Sequence, residues 1–428
     1  MHILDELRQR RLIHDTTDEA ALRAHLDQNA PVTFYVGFDP TSDSLHVGSL
    51  LPIITMARLQ RAGHRPVIVV GGATGMIGDP SGKSAERQLL DEAVLARNVA
   101  GIRAQLRAML DLDDPRLGAL TRNNADWLGG LGLVSFLRDV GKHFSVNAMI
   151  ARESVKMRLE NREQGISYTE FSYQLLQAYD FLHLHRTDGV TLQVGGSDQW
   201  GNITAGSDLI RRLTGHTVHG LTVPLLTTSA GTKFGKTEAG TVWLDPKRTS
   251  PYQFYQFWLR TEDADVLRLL RFFTFVPLEE IDALEATHRE KPELRAAHTR
   301  LAEEMTRLVH GPAGLEAALR GTRVFFGGGL DDVGEDELAG IFADVPSYTL
   351  PAAALGDGLP LADLCALSGF SKSKGEARRL VESGGISVNQ VKVTAKDRAI
   401  TADDFRFGRI LVLRSGKRNY HLILLDRG

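Results

Sequence analysis

Short, dense apolar runs alternate with glycine-rich turns and helical periodicity in the first half of the chain. Buried strands are predicted where β-branched and aromatic residues cluster, at residues 32–38, 66–70, 190–194 and 218–226. Helical patterns follow the first and the third of these runs. Strands that alternate with helices in this way are typical of a parallel α/β sheet, whose ligands bind where the strands end.

The pattern becomes mainly helical in two later regions, residues 91–165 and residues 250–326, and the second is predicted to form a helical domain. Residues 327–358 contain seven acidic residues, no Lys or Arg, and several Gly and Pro, which predicts a linker or a loosely packed segment. The regions predicted from the sequence are therefore 1–248, 249–326, 327–358 and 359–428.

Charge separates the last region from the others. The net charge of the chain is −3, but residues 359–428 hold 13 basic and 7 acidic side chains, which leaves −9 for the remainder. A small basic unit attached to an acidic body favours RNA binding, although a solubilising surface is the simpler alternative. The basic side chains predicted to contact RNA are Lys372, Lys374, Arg378, Arg379, Lys417 and Arg418.

Composition excludes several other classes of protein. The single cysteine, Cys365, rules out an intrachain disulfide, and no Cys/His cluster has the spacing of a structural zinc site. Residues 1–29 lack the apolar core and cleavage site of a signal peptide, and no stretch has the length of a membrane span. A cytoplasmic protein without a membrane partner is expected.

The first candidate site follows the predicted strand at residues 32–38. The strand leads into a helix that is predicted to open near Leu45, and Asp43 or Ser44 is positioned to cap it. The free N–H groups and the dipole at this helix end would attract phosphate, with His46 in the first turn. The alternative is that His46 only caps the helix or packs.

A glycine-rich loop, residues 71–83, follows the second strand. It is similar to a phosphate-binding P-loop, but Ile77 stands where that motif needs glycine and Pro80 removes a backbone N–H. A P-loop NTPase is therefore the less favoured alternative. Lys83 and Arg87 would share one face of a following helix, where they either bind phosphate or remain solvated.

A row of polar residues on an otherwise apolar helix predicts a pocket. The helical pattern at residues 167–181 places Tyr173, Gln177 and Asp180 at positions i, i+4 and i+7, on one face. A solvated helix face would also explain this row. The aromatic and aliphatic neighbours leave little polar surface, however, so a pocket for a small polar molecule is favoured.

Two later segments add candidate binding groups. The strand at residues 190–194 delivers Gly196 and Asp198 to a helix start, where the acid could bind a ribose or only cap the helix. A later loop carries Lys233 and Lys236 among Gly and Thr, without a core-facing pattern. Such a composition is typical of a mobile loop with a functional role.

Together these motifs closely resemble those of the bacterial tyrosyl-tRNA synthetases, a family of class I aminoacyl-tRNA synthetases. The sequence HVGS at residues 46–49 stands where this class carries its HIGH signature, and KFGKT at residues 233–237 stands where it carries KMSKS. The resemblance covers nearly the whole chain and is most specific at residues 35–50, 71–87, 165–180, 195–202 and 233–237.

The resemblance implies an α/β fold with a Rossmann-like parallel-sheet catalytic domain, an α-helical domain on the anticodon side, an acidic linker and a small α+β RNA-binding domain. It also implies that tyrosine attacks the α-phosphorus of ATP to give tyrosyl-adenylate and pyrophosphate. The tRNA(Tyr) 3′ end then accepts the tyrosyl group. Mg²⁺ would accompany the ATP, no protein-bound metal is implied, and the family is expected to form homodimers.

Residue roles follow from the resemblance position by position. The implied catalytic residues are His46, Thr41, Lys83, Arg87, Lys233, Lys236 and Thr237. The implied L-tyrosine ligands are Tyr35, Asp79, Tyr173, Gln177, Asp180 and Gln199. The implied ATP ligands are Gly37, Asp39, Gly48, Ser49, Gly196, Asp198 and Lys236.

The chain departs from the family pattern at two positions and leaves two alternatives. Ser49 replaces the second His of the signature, and Val36 stands where a polar group often meets the ribose, so ribose binding would depend more on Asp198. A tryptophan-specific synthetase is disfavoured by the pair Tyr35 and Asp180, which suits a phenol. A catalytically silent RNA-binding relative is disfavoured because most of the catalytic residues are present.

Overall fold

The structure is a computed structural model that describes residues 1–81, 92–160, 165–229, 231, 234–237, 240–416 and 419–426. The chain forms two compact units. The first comprises Met1–Asp245 and Thr261–Val309, and the second comprises Pro246–Arg260 and His310–Gly428. The helical region predicted at residues 249–326 is thus divided between the two units.

A six-stranded sheet forms the centre of the first unit. Its strands are β1 (Asp15–Thr16), β2 (Thr33–Phe38), β3 (Arg65–Val70), β4 (Leu120–Asn123), β5 (Val190–Gly196) and β6 (His219–Val223), in the spatial order β1-β6-β5-β2-β3-β4. β2 to β6 are parallel, which confirms the predicted α/β class. The strand order reverses between β2 and β5, which opens a crevice at the carboxyl ends of these strands.

The short strand β1 covers one edge of this sheet. It pairs antiparallel with β6, and the pairing extends through hydrogen bonds from His14 N to Thr222 O at 2.7 Å and from Thr17 N to Gly220 O at 3.0 Å. The outermost parallel strand is therefore hydrogen-bonded on both sides over this stretch.

Helices surround the sheet. Those before residue 246 are α1 (Ile3–Gln9), α2 (Glu19–Gln28), α3 (Leu50–Arg61), α4 (Glu92–Leu106), α5 (Ala125–Leu128), α6 (Leu133–Asp139), α7 (Val146–Ile150), α8 (Glu153–Glu160), α9 (Tyr168–Asp188) and α10 (Trp200–Thr214). α9 begins as predicted, because the Ser167 side chain accepts a hydrogen bond from Glu170 N. Phe181 and Leu182 on α9 are buried in the same core cluster as Val67 and Val69 on β3.

Two local predictions in this unit are wrong. α3 begins at Leu50, five residues later than expected, because a 3₁₀ turn (Val47–Ser49) comes first. The Ser44 hydroxyl donates to the Leu45 carbonyl instead of capping a helix. The second difference is β4, which lies within a region predicted to be mainly helical.

The remaining elements of the first unit follow β6. A two-stranded hairpin consists of β7 (Lys236–Thr237) and β8 (Gly240–Thr241). After residue 260 come α12 (Asp263–Phe273), α13 (Leu278–Glu290) and α14 (Ala296–Phe325). α14 continues into the second unit and is interrupted at Gly311, whose φ of 70° is not helical. Within the described ranges, none of the helices has the length and hydropathy needed to span a membrane.

The second unit combines helices with a five-stranded sheet. Its helices are α11 (Pro251–Leu259), α15 (Glu335–Ile341), α16 (Ala352–Leu355), α17 (Leu361–Leu367) and α18 (Lys374–Glu382). Its strands are β9 (Ser347–Pro351), β10 (Leu359–Pro360), β11 (Ile386–Val388), β12 (Val391–Lys392), β13 (Ala399–Ile400), β14 (Ile410–Ser415) and β15 (Asn419–Asp426). The sheet order is β12-β11-β14-β15-β9, and β10 pairs separately with β13.

The predicted linker, residues 327–358, is packed into this second unit. It forms α15 and contributes β9, which pairs in parallel with β15. Leu338 and Phe342 are buried in a core cluster with Tyr252 of α11 and Tyr420 of β15. The acidic residues that suggested a linker therefore lie between apolar side chains that anchor the segment.

Candidate active site

A cavity of about 220 Å³ opens at the carboxyl ends of β2, β3 and β5. Its position between β2 and β5 is the place where open α/β sheets bind ligands. The polar row predicted on α9 forms one wall. The predicted site residues that line the cavity are Tyr35, Gly37, Asp39, Ser49, Asp79, Tyr173, Gln177, Asp180, Gly196 and Gln199.

Asp180 is the most deeply buried acid of this cavity, with 3 % of its surface exposed. Its carboxylate accepts hydrogen bonds from Asn124 Nδ2 at 2.9 Å and from Trp127 Nε1 at 2.7 Å. Burial raises the pKa of Asp180 to about 7, although both hydrogen bonds act in the opposite direction. The fold therefore holds an acid in place at a high electrostatic cost, as functional sites often do.

Tyr35 on β2 lines the same cavity and is 1 % exposed. Its ring packs edge-on against Phe181, with 5.3 Å between ring centroids. Burial, and then the charge of Asp180, raise the pKa of Tyr35 well above its ordinary value, so its hydroxyl stays protonated. Among the described residues, this hydroxyl has no hydrogen-bond partner. A buried donor of this kind is suited to a polar ligand atom.

A connected set of polar side chains forms the middle of the cavity. Asp79 accepts hydrogen bonds from Ser81 N at 2.9 Å and from Gln199 Nε2 at 2.8 Å. Gln199 Oε1 lies 3.3 Å from Gln177 Nε2, and Gln177 Oε1 accepts from Asn202 Nδ2 at 3.0 Å. The network fixes the orientation of both glutamines. It presents a buried carboxylate beside amide groups, which suits a ligand with both an amine and a carboxylate.

Tyr173, the first residue of the predicted row, also contributes to this wall. Its hydroxyl is 3.4 Å from Asp39 Oδ1 at the end of β2. All three residues of the predicted row, Tyr173, Gln177 and Asp180, therefore line this one cavity.

His46 lies in the turn before α3 and is not among the residues that line the cavity. Its Nδ1 accepts a hydrogen bond from Gly48 N at 3.0 Å, so the proton of the neutral ring is on Nε2. A Cβ at Gly48 would lie 2.8 Å from His46 Cε1, which explains why this turn needs glycine. The ring packs edge-on against Trp243, with 6.2 Å between centroids.

The two signature-like segments, residues 46–49 and 233–237, lie next to each other. Gly235 has a φ of +85°, and a Cβ there would lie 2.5 Å from Val47 Cγ2. Val47 N also donates to Val242 O at 3.0 Å, just after the hairpin β7–β8. Only glycine adopts this backbone conformation without strain and leaves room for the Val47 side chain. Gly235 therefore allows the two segments to lie in close contact.

Several predicted residues lie elsewhere or outside the described residues. Thr41 is exposed, and Asp198 accepts from Gln199 Nε2 at 3.3 Å but is not among the residues that line the cavity. α10 begins at Trp200 with Gln199 at its cap position, so Asp198 does not cap the helix. Lys83, Arg87, Lys233, Lys417 and Arg418 lie outside the described residues, as do the side chains of Lys236 and Thr237.

Sequence reasoning missed three residues of the site: Asn124 and Gln193, which line the cavity, and Trp127, which donates to Asp180. Asn124 and Trp127, which hold Asp180, follow β4, the strand that was not predicted because only one of its residues, Leu120, is strongly apolar. Gln193 also lines the cavity, and its buried Oε1 has no hydrogen-bond partner within the described ranges. A glutamine in the middle of a buried strand was the sequence signal that could have identified it.

In the second unit, α18 presents the predicted basic surface. Lys372, Lys374, Arg378 and Arg379 are all exposed. Lys374 Nζ forms an ion pair with Asp363 Oδ2 at 3.0 Å, and Ser373 caps the helix through a hydrogen bond from Glu376 N. Three of the predicted basic side chains, Lys374, Arg378 and Arg379, thus lie on one short, well-capped helix, and Lys372 lies just before it.

Comparisons with known proteins agree with this arrangement. The family model of the tRNA synthetases class I (W and Y) matches residues 27–327, and that of the tyrosine–tRNA ligase SYY-like C-terminal domain matches residues 337–423. The chain is similar to the tyrosine–tRNA ligases of Roseiflexus castenholzii and Geobacillus stearothermophilus. The identities are 52 % and 51 %, each over 424 residues and 99 % of both chains.

A solved structure shows the same likeness. The C-terminally truncated mitochondrial tyrosyl-tRNA synthetase of Aspergillus nidulans matches with a TM-score of 0.68 and 32 % identity. The match covers 76 % of this chain and 94 % of that chain. As the motifs predicted, the chain belongs to the class I tRNA synthetases of the W and Y group, and within that group to the tyrosine–tRNA ligases.

Proposed function

We propose that this chain activates L-tyrosine with ATP and transfers the tyrosyl group to tRNA(Tyr), and that the phenol of tyrosine binds between Tyr35 and Asp180. Relatives that match its full length are named tyrosine–tRNA ligases. The observation that carries the proposal is the buried carboxylate of Asp180, which Asn124 and Trp127 hold at the wall of a cavity that Tyr35 also lines.

A phenol suits this pair of groups. It would donate its O–H to Asp180 and accept the otherwise unpaired O–H of Tyr35. Phenylalanine would leave both buried groups without a partner, which costs the full desolvation penalty. Tyrosyl-tRNA synthetases are themselves the standard example of this effect, with discrimination against phenylalanine of about 10⁵.

The middle of the cavity suits the charged end of the amino acid. Asp79, Tyr173 and Gln177 would hold the α-ammonium group, and Gln199 would orient the carboxylate. The supporting observation is that Asp79 is buried and accepts only neutral N–H groups within the described part of the chain, from Ser81 and Gln199. An ammonium group would compensate this buried negative charge.

The nucleotide would occupy the outer part of the site. His46 and Thr41 would meet the γ-phosphate, while Lys83, Arg87, Lys233, Lys236 and Thr237 would surround the pyrophosphate, with Mg²⁺ bound to the ATP as part of the substrate. The remaining ATP contacts would come from Gly37, Asp39, Gly48, Ser49, Gly196 and Asp198. The close contact between Val47 and Gly235 supports a shared phosphate site.

The first step needs no nucleophile from the protein, because the tyrosine carboxylate itself attacks phosphorus. Catalysis would come from holding the reactants in line and from neutralising charge on the departing pyrophosphate. His46 is suited to this task as a hydrogen-bond donor. Since its Nδ1 accepts from Gly48 N, Nε2–H is the donor of the neutral ring.

The division of labour between the regions is also a proposal. Residues 1–248 would carry both substrate sites, residues 249–326 would face the anticodon side, and residues 359–428 would bind tRNA(Tyr) through α18. The exposed guanidinium groups of Arg378 and Arg379 support the last assignment. We expect the protein to act in the cytoplasm, where its tRNA substrate is used.

A homodimer is proposed from an apolar surface on α6 and α7. Leu133 and Val134 are 72 % and 79 % exposed, and Leu137, Val146 and Ile150 are also exposed. Such a cluster of large apolar side chains is typical of an interface. Sedimentation of the Leu133→Lys protein should show a shift towards monomers, whereas a wild-type protein that sediments as a monomer would contradict the proposal.

The test of function is amino-acid-dependent exchange of labelled pyrophosphate into ATP, with tyrosine, phenylalanine and tryptophan compared. We expect exchange with tyrosine alone, its loss in His46→Ala, and its retention in His216→Ala, which removes an exposed histidine. Exchange with tryptophan would overturn the phenol assignment. Absence of exchange with all three amino acids would instead favour the RNA-binding alternative.

A further inference from the structure

A cluster of two histidines and one carboxylate lies in the helices after residue 260, separate from the residues that line the cavity. Asp263 begins α12, His288 is in the last turn of α13, and His298 is near the start of α14. One potential ligand atom from each residue lies within 4.8 Å of the other two. Three helix ends thus bring nitrogen and oxygen atoms that can bind a metal ion close to one another.

The ring nitrogens of the two histidines lack well-formed hydrogen bonds. His298 is fully buried, and its Nε2 is 3.1 Å from Asp263 Oδ1. Neither ring nitrogen of His298, nor Nδ1 of His288, makes a hydrogen bond of good geometry with any described residue. The ring centroids of the two histidines are 5.5 Å apart. Buried polar atoms of this kind normally have a partner, and here the partner can be a shared ion.

We propose that Asp263, His288 and His298 bind a divalent first-row transition ion, with Zn²⁺ as the ion that fits best. Imidazole nitrogens favour zinc, nickel and copper, whereas magnesium and calcium need sites built from oxygen ligands. Ligand atoms around tetrahedral zinc are about 3.4 Å apart, given zinc–ligand bonds of about 2.1 Å. His288 is only partly buried, so rotation of its ring can close the remaining gap.

The location determines what the ion would do. Asp263 is exposed, so the ion can enter from solvent and keep a water molecule as its fourth ligand. The guanidinium of Arg295, with Nη1 3.8 Å from Asp263 Oδ1, would give up part of its ion pair on binding. The ion would join α12, α13 and α14 and stabilise this helical region without taking part in the chemistry at the cavity.

The test uses the full-length chain after removal of metals by a chelator. Equilibrium dialysis against Zn²⁺ should give one ion per chain, and Zn²⁺ should raise the midpoint of thermal unfolding, whereas Mg²⁺ should not. His288→Gln and Asp263→Asn should each weaken binding at least about tenfold, since each removes one of three ligands. Both replaced side chains are at least partly exposed, and circular dichroism checks that the variants fold.

His14→Gln is the matched control, because His14 Nδ1 lies 2.6 Å from Asp15 Oδ2 in an exposed pair that is not part of this cluster. Its zinc binding should equal that of the wild type. Absence of stoichiometric binding to the wild-type chain would overturn the proposal. Binding that persists unchanged in both His288→Gln and Asp263→Asn would also overturn it, because the ion would then be bound elsewhere.

Discussion

The amino-acid end and the phosphate end of the proposed active site differ in how they are built. At the amino-acid end, Asp180 and Tyr35 are buried on a long helix and a central strand, and Asn124 and Trp127 hold the acid directly. At the phosphate end, backbone contact between a turn and a hairpin segment sets the geometry, and Thr41 is exposed. In the proposed site, selectivity would thus depend on rigid elements and charge neutralisation on loops.

The largest effect is expected from Asp180→Asn, which replaces the carboxylate acceptor at the amino-acid end with a neutral amide. We expect kcat/KM for tyrosine in pyrophosphate exchange to fall about 10³-fold, since a buried hydrogen bond to a charged group is lost. Asp139→Asn, an exposed acid, should retain full activity. If kcat/KM for tyrosine fell less than tenfold in Asp180→Asn, this acid would not be the group that binds the phenol.

The same substitution should lower activity but raise the stability of the fold. The pKa of Asp180 is raised from 3.8 to about 7, so the folded chain holds a proton that the unfolded chain has lost. The free energy of unfolding therefore falls as the pH rises from about 4 to about 7, by up to about 4 kcal/mol. Asp180→Asn should unfold at a higher temperature than wild type at pH 8, and the difference should vanish near pH 4.

Arg158→Ala tests how much a buried ion pair at the start of α9, the helix that carries Asp180, contributes to stability. Arg158 makes two hydrogen bonds, of 3.1 and 2.8 Å, to Glu170 in the first turn of α9, and both residues are buried. Because the Glu170 charge would be left unpaired, the free energy of unfolding, measured in urea, should fall by about 3 kcal/mol. The double substitution Arg158→Met with Glu170→Leu should recover most of this loss. A cost below about 1 kcal/mol would mean that the helix start does not depend on this pair.

Gly48→Ala tests the phosphate end in isolation. The added methyl would displace the His46 ring, so kcat should fall about tenfold, equal to about 1.4 kcal/mol, while tyrosine affinity stays unchanged. Gly130→Ala is the control, because a Cβ there meets nothing within 4 Å. A change in tyrosine affinity would show that the two ends are coupled.

The smallest effect is expected from Tyr35→Phe, which removes one neutral hydroxyl. Tyrosine should bind about fivefold more weakly, equal to about 1 kcal/mol, and discrimination against phenylalanine should fall as well. Tyr168→Phe makes the same change at an exposed position and should have no effect. Unaltered discrimination in Tyr35→Phe would assign the selectivity to Asp180 alone.

Much of the amino-acid end could be predicted from the sequence. Apolar runs identified β2, β3 and β5, and helical spacing placed Tyr173, Gln177 and Asp180 on one face, because both depend on local periodicity. The start of α3 could not be predicted in this way. There the backbone forms a 3₁₀ turn in which His46 accepts from Gly48 N, and the sequence contains no signal that separates this turn from an α-helix.

Other misses have tertiary causes. β4 is short and polar but becomes a strand through pairing with β3, and Asn124 and Trp127 reach Asp180 only as a result. Residues 327–358 were predicted to be a linker because they contain seven acidic residues, no Lys or Arg, and several Gly and Pro. Large apolar side chains of this segment, such as Leu338 and Phe342, are nevertheless buried together with distant residues. Pairing and burial between distant segments are invisible to local patterns.

The short strand β1 has a consequence for solubility. Without it, β6 would present a row of free N–H and C=O groups at the edge of the sheet, and such an edge is a template for pairing between molecules. The hydrogen bonds of His14 and Thr17 to this strand fill that row with the chain's own backbone. Two residues of strand near the N-terminus thus protect the parallel sheet from aggregation through this edge.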